Sequence, residues 1–397
     1  MEAKEPSGPP EVPLGDVFAE IPLFREIQRV LLSSSGPVNW ELARQIGIAM
    51  ASWGTEDAQP SEDDRRGLED TVRAAELHVA EFTGLSQPVD VATVEVLRRG
   101  QWVESSITGL KELVEPAAAR MADAFRQAQV QEAEGGTPPE AMQMMGAMLG
   151  QLAPLLLGAQ VGTVLGSLGQ RVLGQYDVAV PRPGHGTLQF VVPNIERFEA
   201  EWSLSPLEFR AWVAVHEVTH RLQFANPWTR DHFLGLVRDY CSTLELDLGS
   251  LQERLEHMDV ANPEALQSLF QSEEGLIGPV LDDEQRLKLG RVQAFMSAAE
   301  GYGDHVTEQV GRRLLTSSSQ VEEAVRRSRE DESADPVFER LLGIEMKREQ
   351  YRLGHAFCER VVELTDEATL ARMWDAPEAL PSLPELSEPS LWLARTV

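Results

Sequence analysis

The stretch that decides the fold is AWVAVHEVTHRLQF, residues 211–224, where a His-Glu-x-x-His pentad lies inside an apolar run. Residues four apart lie on one face of a helix, so the imidazoles of His216 and His220 can share one metal ion at about 2.0–2.1 Å. Glu217 is turned by about 100° from His216 and can reach a water on that ion without being a ligand. The pattern predicts a metal-binding helix; the alternative is two packed histidines beside a solvated glutamate.

The residues upstream predict where this helix begins and what precedes it. Ser205 is a favourable N-cap, Pro206 suits the first helical position, and Glu208 is expected to complete a capping box with Ser205. Before them, QYDVAV (175–180) and TLQFVVP (187–193) are β-prone runs separated by a Pro/Gly turn. We expect a small hairpin whose second strand is either purely structural or an edge that pairs with an extended peptide.

A third metal ligand is expected downstream, in FMSAAEGYGDHVTEQV (295–310). Glu300 and Asp304 are four apart on a predicted helix, and buried carboxylates are unfavourable unless they are paired or bind a metal. Glu300 fits the ligand position, and Asp304 fits an outer acceptor for a histidine N–H. The alternative is an exposed acidic face. His232 is expected to be a capping or core histidine.

Three residues are candidate donors for stabilising an oxyanion in a hydrolytic reaction. Tyr351 and His355 are four apart in KREQYRLGHAF (347–357), and Tyr302 flanks the third-ligand motif. Ordinary polar roles on a helix surface are the alternative for all three.

The net charge of −29 and the isoelectric point near 4.6 disfavour nucleic acid as a partner, because such a surface repels phosphate. The two cysteines, Cys241 and Cys358, form no CxxC motif and are expected to be buried free thiols. The N-terminus is acidic and Pro-rich and lacks the pattern of a signal peptide. These features predict a cytoplasmic protein.

Residues 141–170 carry no charge, a length that could span a bilayer. Glutamines, Pro154 and glycines four apart interrupt this stretch, and no cluster of Lys or Arg flanks it. We therefore expect a buried helix or a broken helical pair and no membrane span.

The His-Glu-x-x-His motif followed by Glu-x-x-x-Asp resembles the gluzincin branch of the zincin peptidases. The chain resembles more closely an actinobacterial zinc-dependent metalloprotease family, whose members are often labelled as associated with biosynthesis of a deazaflavin coenzyme. The segments that carry this resemblance are GQRVLGQYDVAVP, VVPNIERFE, FRAWVAVHEVTHRLQFANPWTRDH, EGYGDHV, LLGIEMKREQYRLGHAFCERVV and PSLWLARTV.

The resemblance implies a zinc cofactor held by His216, His220 and Glu300, with Glu217 as general base and Asp304 supporting a histidine. Two features depart from the pattern. Arg221 follows the second histidine directly, where zincins prefer an uncharged residue. The distance from His220 to Glu300 is 80 residues along the chain, which predicts a long helical insertion.

The expected fold is mainly α with a small β-hairpin or sheet, in a zincin-like architecture. We expect an acidic disordered tail at 1–16, an N-terminal helical region at 17–135, and a zincin-like metal-binding region with a C-terminal docking arm at 136–397. The Gly- and Pro-rich segment 131–140 marks the boundary between the last two.

The leading hypothesis is a zinc-dependent metallohydrolase that acts on a peptide or protein through metal-activated water, with Glu217 as the base. The alternative is a non-catalytic scaffold of zincin fold, or a factor linked to coenzyme biosynthesis. The oligomeric state stays open.

Overall fold

The computed structural model describes residues 36–54, 56–85, 90–135, 140–176, 186–243, 282–331 and 348–396. The described part is mainly helical, as predicted. Its elements are α1 (Trp40–Ala51), α2 (Glu62–Thr83), β1 (Thr93–Leu97), α3 (Arg99–Gly135), α4 (Glu140–Gly169), β2 (Thr187–Val191), α5 (Val192–Glu201), α6 (Pro206–Phe224), α7 (Pro227–Ser242), α8 (Asp283–Leu314), α9 (Ser318–Asp331), α10 (Arg348–Leu364), α11 (Glu367–Ala371), α12 (Leu383–Ser387) and α13 (Pro389–Thr396), with 3₁₀ turns at Arg372–Trp374 and Pro377–Ala379.

Helix α6 begins where the sequence predicts, with Ser205 as N-cap and Pro206 in the first turn. The predicted capping box is wrong, because Ser205 makes no side-chain cap hydrogen bond. The Glu208 carboxylate instead accepts hydrogen bonds from the backbone N–H groups of Ser317 (2.8 Å) and Thr316 (3.2 Å), and from both hydroxyls. Glu208 therefore joins the first turn of α6 to the start of α9.

The described residues form a two-stranded sheet in which β1 and β2 are parallel, with Val94 opposite Leu188 and Val96 opposite Phe190. The prediction of β2 is confirmed, but its partner β1 was not predicted. On the other side of β2, Gly174 forms an antiparallel bridge with Phe190. Residues 177–185, which include most of the predicted first hairpin strand and the turn, lie outside the described residues.

Helix α4 packs along α1 through glycines spaced four apart. A Cβ on Gly162 would lie 2.6 Å from the Ala43 carbonyl oxygen, and one on Gly166 would lie 2.5 Å from Met50 Cβ. These glycines let the two backbones approach closely, as the small-residue spacing predicts. Among the described residues, no helix combines the length and the apolar character needed to cross a membrane.

Helix α6 lies at the centre of the described core, packed against α2, α7 and α8. Every residue from Trp212 to Phe224 is buried. Helix α8 in turn crosses α10 where two glycines meet: a Cβ on Gly301 would overlap the Gly354 backbone, and one on Gly354 would overlap the Ser297 carbonyl. This close crossing fixes the position of the α8 segment that faces α6.

Both cysteines are free and buried, as predicted. The C-terminal segment ends in α12 and α13, and Trp392 is buried edge-on against Phe357 with its indole N–H on the Ala379 carbonyl at 2.7 Å. The predicted tail at 1–16 lies outside the described residues. The domain boundaries stay predictions.

Candidate metal centre

The two histidines of the pentad lie one turn apart on α6 and face each other. Their ring centroids are 4.6 Å apart in an edge-on arrangement, and the two Nε2 atoms are 3.2 Å apart. Trp212, four residues before His216, stacks on the ring of His216, and Phe224, four residues after His220, stacks on the ring of His220. This aromatic sandwich holds both rings with their Nε2 edges together.

Glu300 reaches these histidines from α8. Among the described residues, His216, His220 and Glu300 form a group of potential ligands whose ligand atoms all lie within 4.8 Å of one another. All three are buried, with Glu300 at 6% exposure. Gly303, one turn along α8, makes room for the second histidine, since a Cβ there would lie 2.8 Å from His220 Cε1.

Hydrogen bonds on the far side of each ring determine which nitrogen carries the proton. His220 Nδ1 lies 2.7 Å from Gln223 Oε1, and His216 Nδ1 lies 3.5 Å from the Thr307 hydroxyl. That hydroxyl donates to the Gly303 carbonyl at 2.7 Å, so its oxygen is left to accept. Both Nδ1 atoms therefore act as donors, and both Nε2 atoms present lone pairs toward each other.

Two opposed lone pairs beside a buried carboxylate fit a cation. Burial lowers the pKa of His216 to about 4, and burial together with His216 lowers the pKa of His220 well below its ordinary value. Both rings are thus neutral at neutral pH, which is the form that binds metals. Two imidazole nitrogens and one carboxylate oxygen are a donor set typical of catalytic zinc.

Glu217 is fully buried and is held by residues 174–176, for which the sequence predicted no role in the site. The backbone N–H of Tyr176 donates to its carboxylate, at 2.9 Å to Oε2 and 3.3 Å to Oε1. A Cβ on Gly174 would overlap the same carboxyl group. The chain at 174–176 therefore lies directly against Glu217 and requires glycine at position 174.

Asp304 does not have the contact expected of it. The Arg329 guanidinium of α9 donates to its carboxylate at 2.7 and 3.1 Å, while Thr307 and Gln223 occupy the Nδ1 sides of the two histidines. Burial acts to raise the pKa of Asp304, but the Arg329 guanidinium outweighs it and holds that pKa below its usual range. Asp304 makes no hydrogen bond to His216 or His220 and acts on His216 through its charge. Its supporting role at the metal stays a prediction.

The three candidate oxyanion donors fall in different places. Tyr302 is two residues, or about 200° of helix, from Glu300 and packs edge-on against Trp374. His355 lies on α10 with its Nε2 atom 3.5 Å from the Glu308 carboxylate, which raises its pKa. The side chain of Tyr351 lies outside the described residues. Tyr302 therefore points away from the metal-facing side of α8. The roles of Tyr351 and His355 as oxyanion donors stay predictions.

Arg221, the departure directly after the second histidine, has a structural role. Its side chain is buried and bonds Glu76 of α2 and the Asp90 carbonyl, both at 2.5 Å. It anchors α6 to the start of the sheet and leaves the metal-facing side of the helix free. His232 is half-buried and packs between Trp228 and Phe295.

Two comparisons with known proteins find similar sequences or structures. The model of a family described as zincin-like metallopeptidase matches residues 38–393. A solved structure from Chloroflexus aurantiacus, described as a candidate hydrolase with a novel fold, is similar to this chain with 30% sequence identity and a TM-score of 0.64. The match covers 90% of this chain and 98% of that one. The comparison with curated proteins gives no significant match.

Proposed function

The chain belongs to the zincin-like metallopeptidase family, and from that premise we propose that it is a zinc-dependent metallohydrolase acting on peptides or proteins. The ligands in this proposal are His216, His220 and Glu300. The observation that carries it is the convergence of their ligand atoms within 4.8 Å, with hydrogen bonds that direct both histidine lone pairs to one point.

In the proposed reaction, zinc supplies Lewis acidity, which makes a water more acidic and a substrate carbonyl more electrophilic. The Glu217 carboxylate takes the proton from the water and later gives it to the leaving amine. The Tyr176 N–H holds this carboxylate in place, and the surrounding buried side chains exclude bulk water, which strengthens electrostatic interactions in the site.

Zinc content and hydrolysis in three proteins test this proposal. Wild type is expected to bind one zinc ion per chain and to cleave fluorescently labelled casein. Glu217→Gln should keep the zinc and lose about 10²–10⁴-fold in turnover, since only the proton acceptor is removed. Glu300→Ala should lose more affinity than the about 10–100-fold that outer contacts contribute.

The outcome separates the hydrolase from the scaffold alternative. Zinc binding that is unaffected by Glu300→Ala would contradict the proposed ligand set. Casein cleavage that persists in purified Glu217→Gln would contradict the role of the base. Zinc bound with no cleavage of casein or of a mixed peptide digest would favour the non-catalytic scaffold.

The association with deazaflavin coenzyme biosynthesis and the cytoplasmic location stay predictions. Two unpaired buried cysteines are consistent with a reducing compartment. Coenzyme levels in a deletion strain and cell fractionation are the measurements that address them.

A further inference from the structure

Gln223 connects the two helices that carry the proposed ligands. It lies three residues after His220 on α6 and has no exposed surface. Its Oε1 atom is 2.7 Å from His220 Nδ1, and its Nε2 donates to the Ala299 carbonyl at 2.9 Å. Ala299 immediately precedes Glu300, so one amide spans from one proposed ligand to the backbone of another.

The Ala299 carbonyl determines how this amide is oriented. A carbonyl oxygen can only accept, so the NH₂ group of Gln223 must face it and Oε1 must face His220. His220 Nδ1 must then carry a proton, which leaves Nε2 with the lone pair. The tautomer of His220 is thus fixed by a backbone atom of α8 acting through a side chain of α6.

The other contacts near His216 and His220 are weaker candidates for fixing the tautomer of a ligand histidine. The Thr307 hydroxyl is 3.5 Å from His216 Nδ1, at the limit of a hydrogen bond, and Asp304 is engaged by Arg329. The Gln223 contact is 0.8 Å shorter than the Thr307 contact (3.5 − 2.7 Å). It is also made by a neutral group, which orients the ring without adding negative charge next to the metal.

We propose that Gln223 is a positioning residue for the metal, which sets the tautomer of His220 and holds it in register with Glu300. This inference rests on the proposed function, from which it takes zinc as the metal and His220 and Glu300 as ligands. It predicts that loss of the amide weakens zinc binding by about 10–100-fold, the usual contribution of an outer hydrogen bond to a histidine ligand.

The test is zinc affinity of the full-length protein, measured by competition with a chromophoric chelator. Gln223→Met keeps the length of the side chain and removes both hydrogen bonds. Gln223→Glu keeps an acceptor for His220 Nδ1 but loses the donation to the Ala299 carbonyl, so it should recover only part of the affinity. Gln170→Met is the matched control, because Gln170 bonds the Met50 carbonyl at 2.6 Å between α1 and α4, away from the metal.

The expected result is weaker zinc binding in Gln223→Met, a changed visible spectrum of its cobalt-substituted form, and wild-type affinity in Gln170→Met. Equal zinc affinity in Gln223→Met and wild type would overturn the proposal. If Gln223→Met does not fold, wild-type zinc affinity in folded Gln223→Leu, which also removes both hydrogen bonds, would overturn it instead. Failure of wild type to bind zinc would count against the proposed function, which distinguishes the two ideas.

Discussion

Two helix pairs of this protein use glycine to approach closely, with different results. In the α1–α4 pair, Gly162 faces the Ala43 carbonyl oxygen, so glycine brings backbone against backbone. In the α6–α8 pair, Gly303 faces the His220 ring, so glycine leaves room for a functional side chain. The first pair contributes to packing, whereas the second positions the side chain of a proposed metal ligand.

Helix α6, which belongs to the second pair, also buries many polar side chains. On α6 the buried polar side chains follow one another almost without interruption: His216, Glu217, Thr219, His220, Arg221 and Gln223. Burying such groups is unfavourable unless they are hydrogen-bonded. The contacts to Tyr176, Glu76, Ala299 and Thr307 supply those bonds from three other parts of the chain, since Ala299 and Thr307 both lie on α8. Substitutions at the two glycines should therefore affect different properties.

The largest expected effect is that of Gly303→Ala on zinc binding. The new Cβ would lie 2.8–2.9 Å from the His220 ring, which cannot move without breaking its bond to Gln223. We expect zinc affinity to fall by more than about 100-fold, beyond the range of a single outer contact, as measured by chelator competition. Gly235→Ala on α7, where the Cβ meets nothing within 4 Å, is the control and should bind zinc normally.

The reciprocal change, Gly162→Ala, should affect stability and leave zinc affinity intact. The new Cβ would lie 2.6 Å from a backbone oxygen, so α1 and α4 must separate. Overpacking is unfavourable by about 1–3 kcal/mol, and the better helix propensity of alanine returns about 0.5–1 kcal/mol. Urea unfolding of the zinc-free protein should therefore show a net loss.

Gly67→Ala provides the matched control for that loss. Gly67 lies in the exposed interior of α2 with nothing within 4 Å of its Cβ position, so the same substitution should stabilise by about 0.5–1 kcal/mol. A Gly162→Ala protein as stable as Gly67→Ala would show that the α1–α4 contact adjusts freely. A loss of zinc affinity in Gly162→Ala would show that the two helix pairs are coupled.

The sequence predicts local features of this molecule better than distant contacts. The course of α6, the burial of residues around the pentad and the approach of Glu300 follow from helical spacing and from the rarity of buried carboxylates. The parallel pairing of β1 with β2 does not, since the strands are about 90 residues apart and no local pattern specifies the partner.

The contacts around the proposed ligands were the least predictable. Spacing alone places both Asp304 and Thr307 near the metal-facing side of α8, and the choice between them depends on Arg329 from another helix. Gln223 carries a signal that could have been used, since it lies three residues after His220 on a helix. Gly174 and Tyr176 carry none, because their contact with Glu217 depends on the path of the chain before β2.

The smallest expected effect comes from Glu208, which joins the first turn of α6 to the start of α9. The Ser317 hydroxyl, the Thr316 hydroxyl and the Ser317 N–H lower the pKa of Glu208 from 4.5 to about 2. Because the folded-state pKa is the lower one, the ionised carboxylate favours the folded state. Its contribution is complete above pH 4.5 and is lost as the pH falls toward 2.

Glu208→Gln should therefore lower the melting temperature slightly at pH 6, and the difference in melting temperature from wild type should shrink below pH 4.5. A difference that stays constant across this range would mean that ionisation of Glu208 does not contribute to the stability of the contact between α6 and α9.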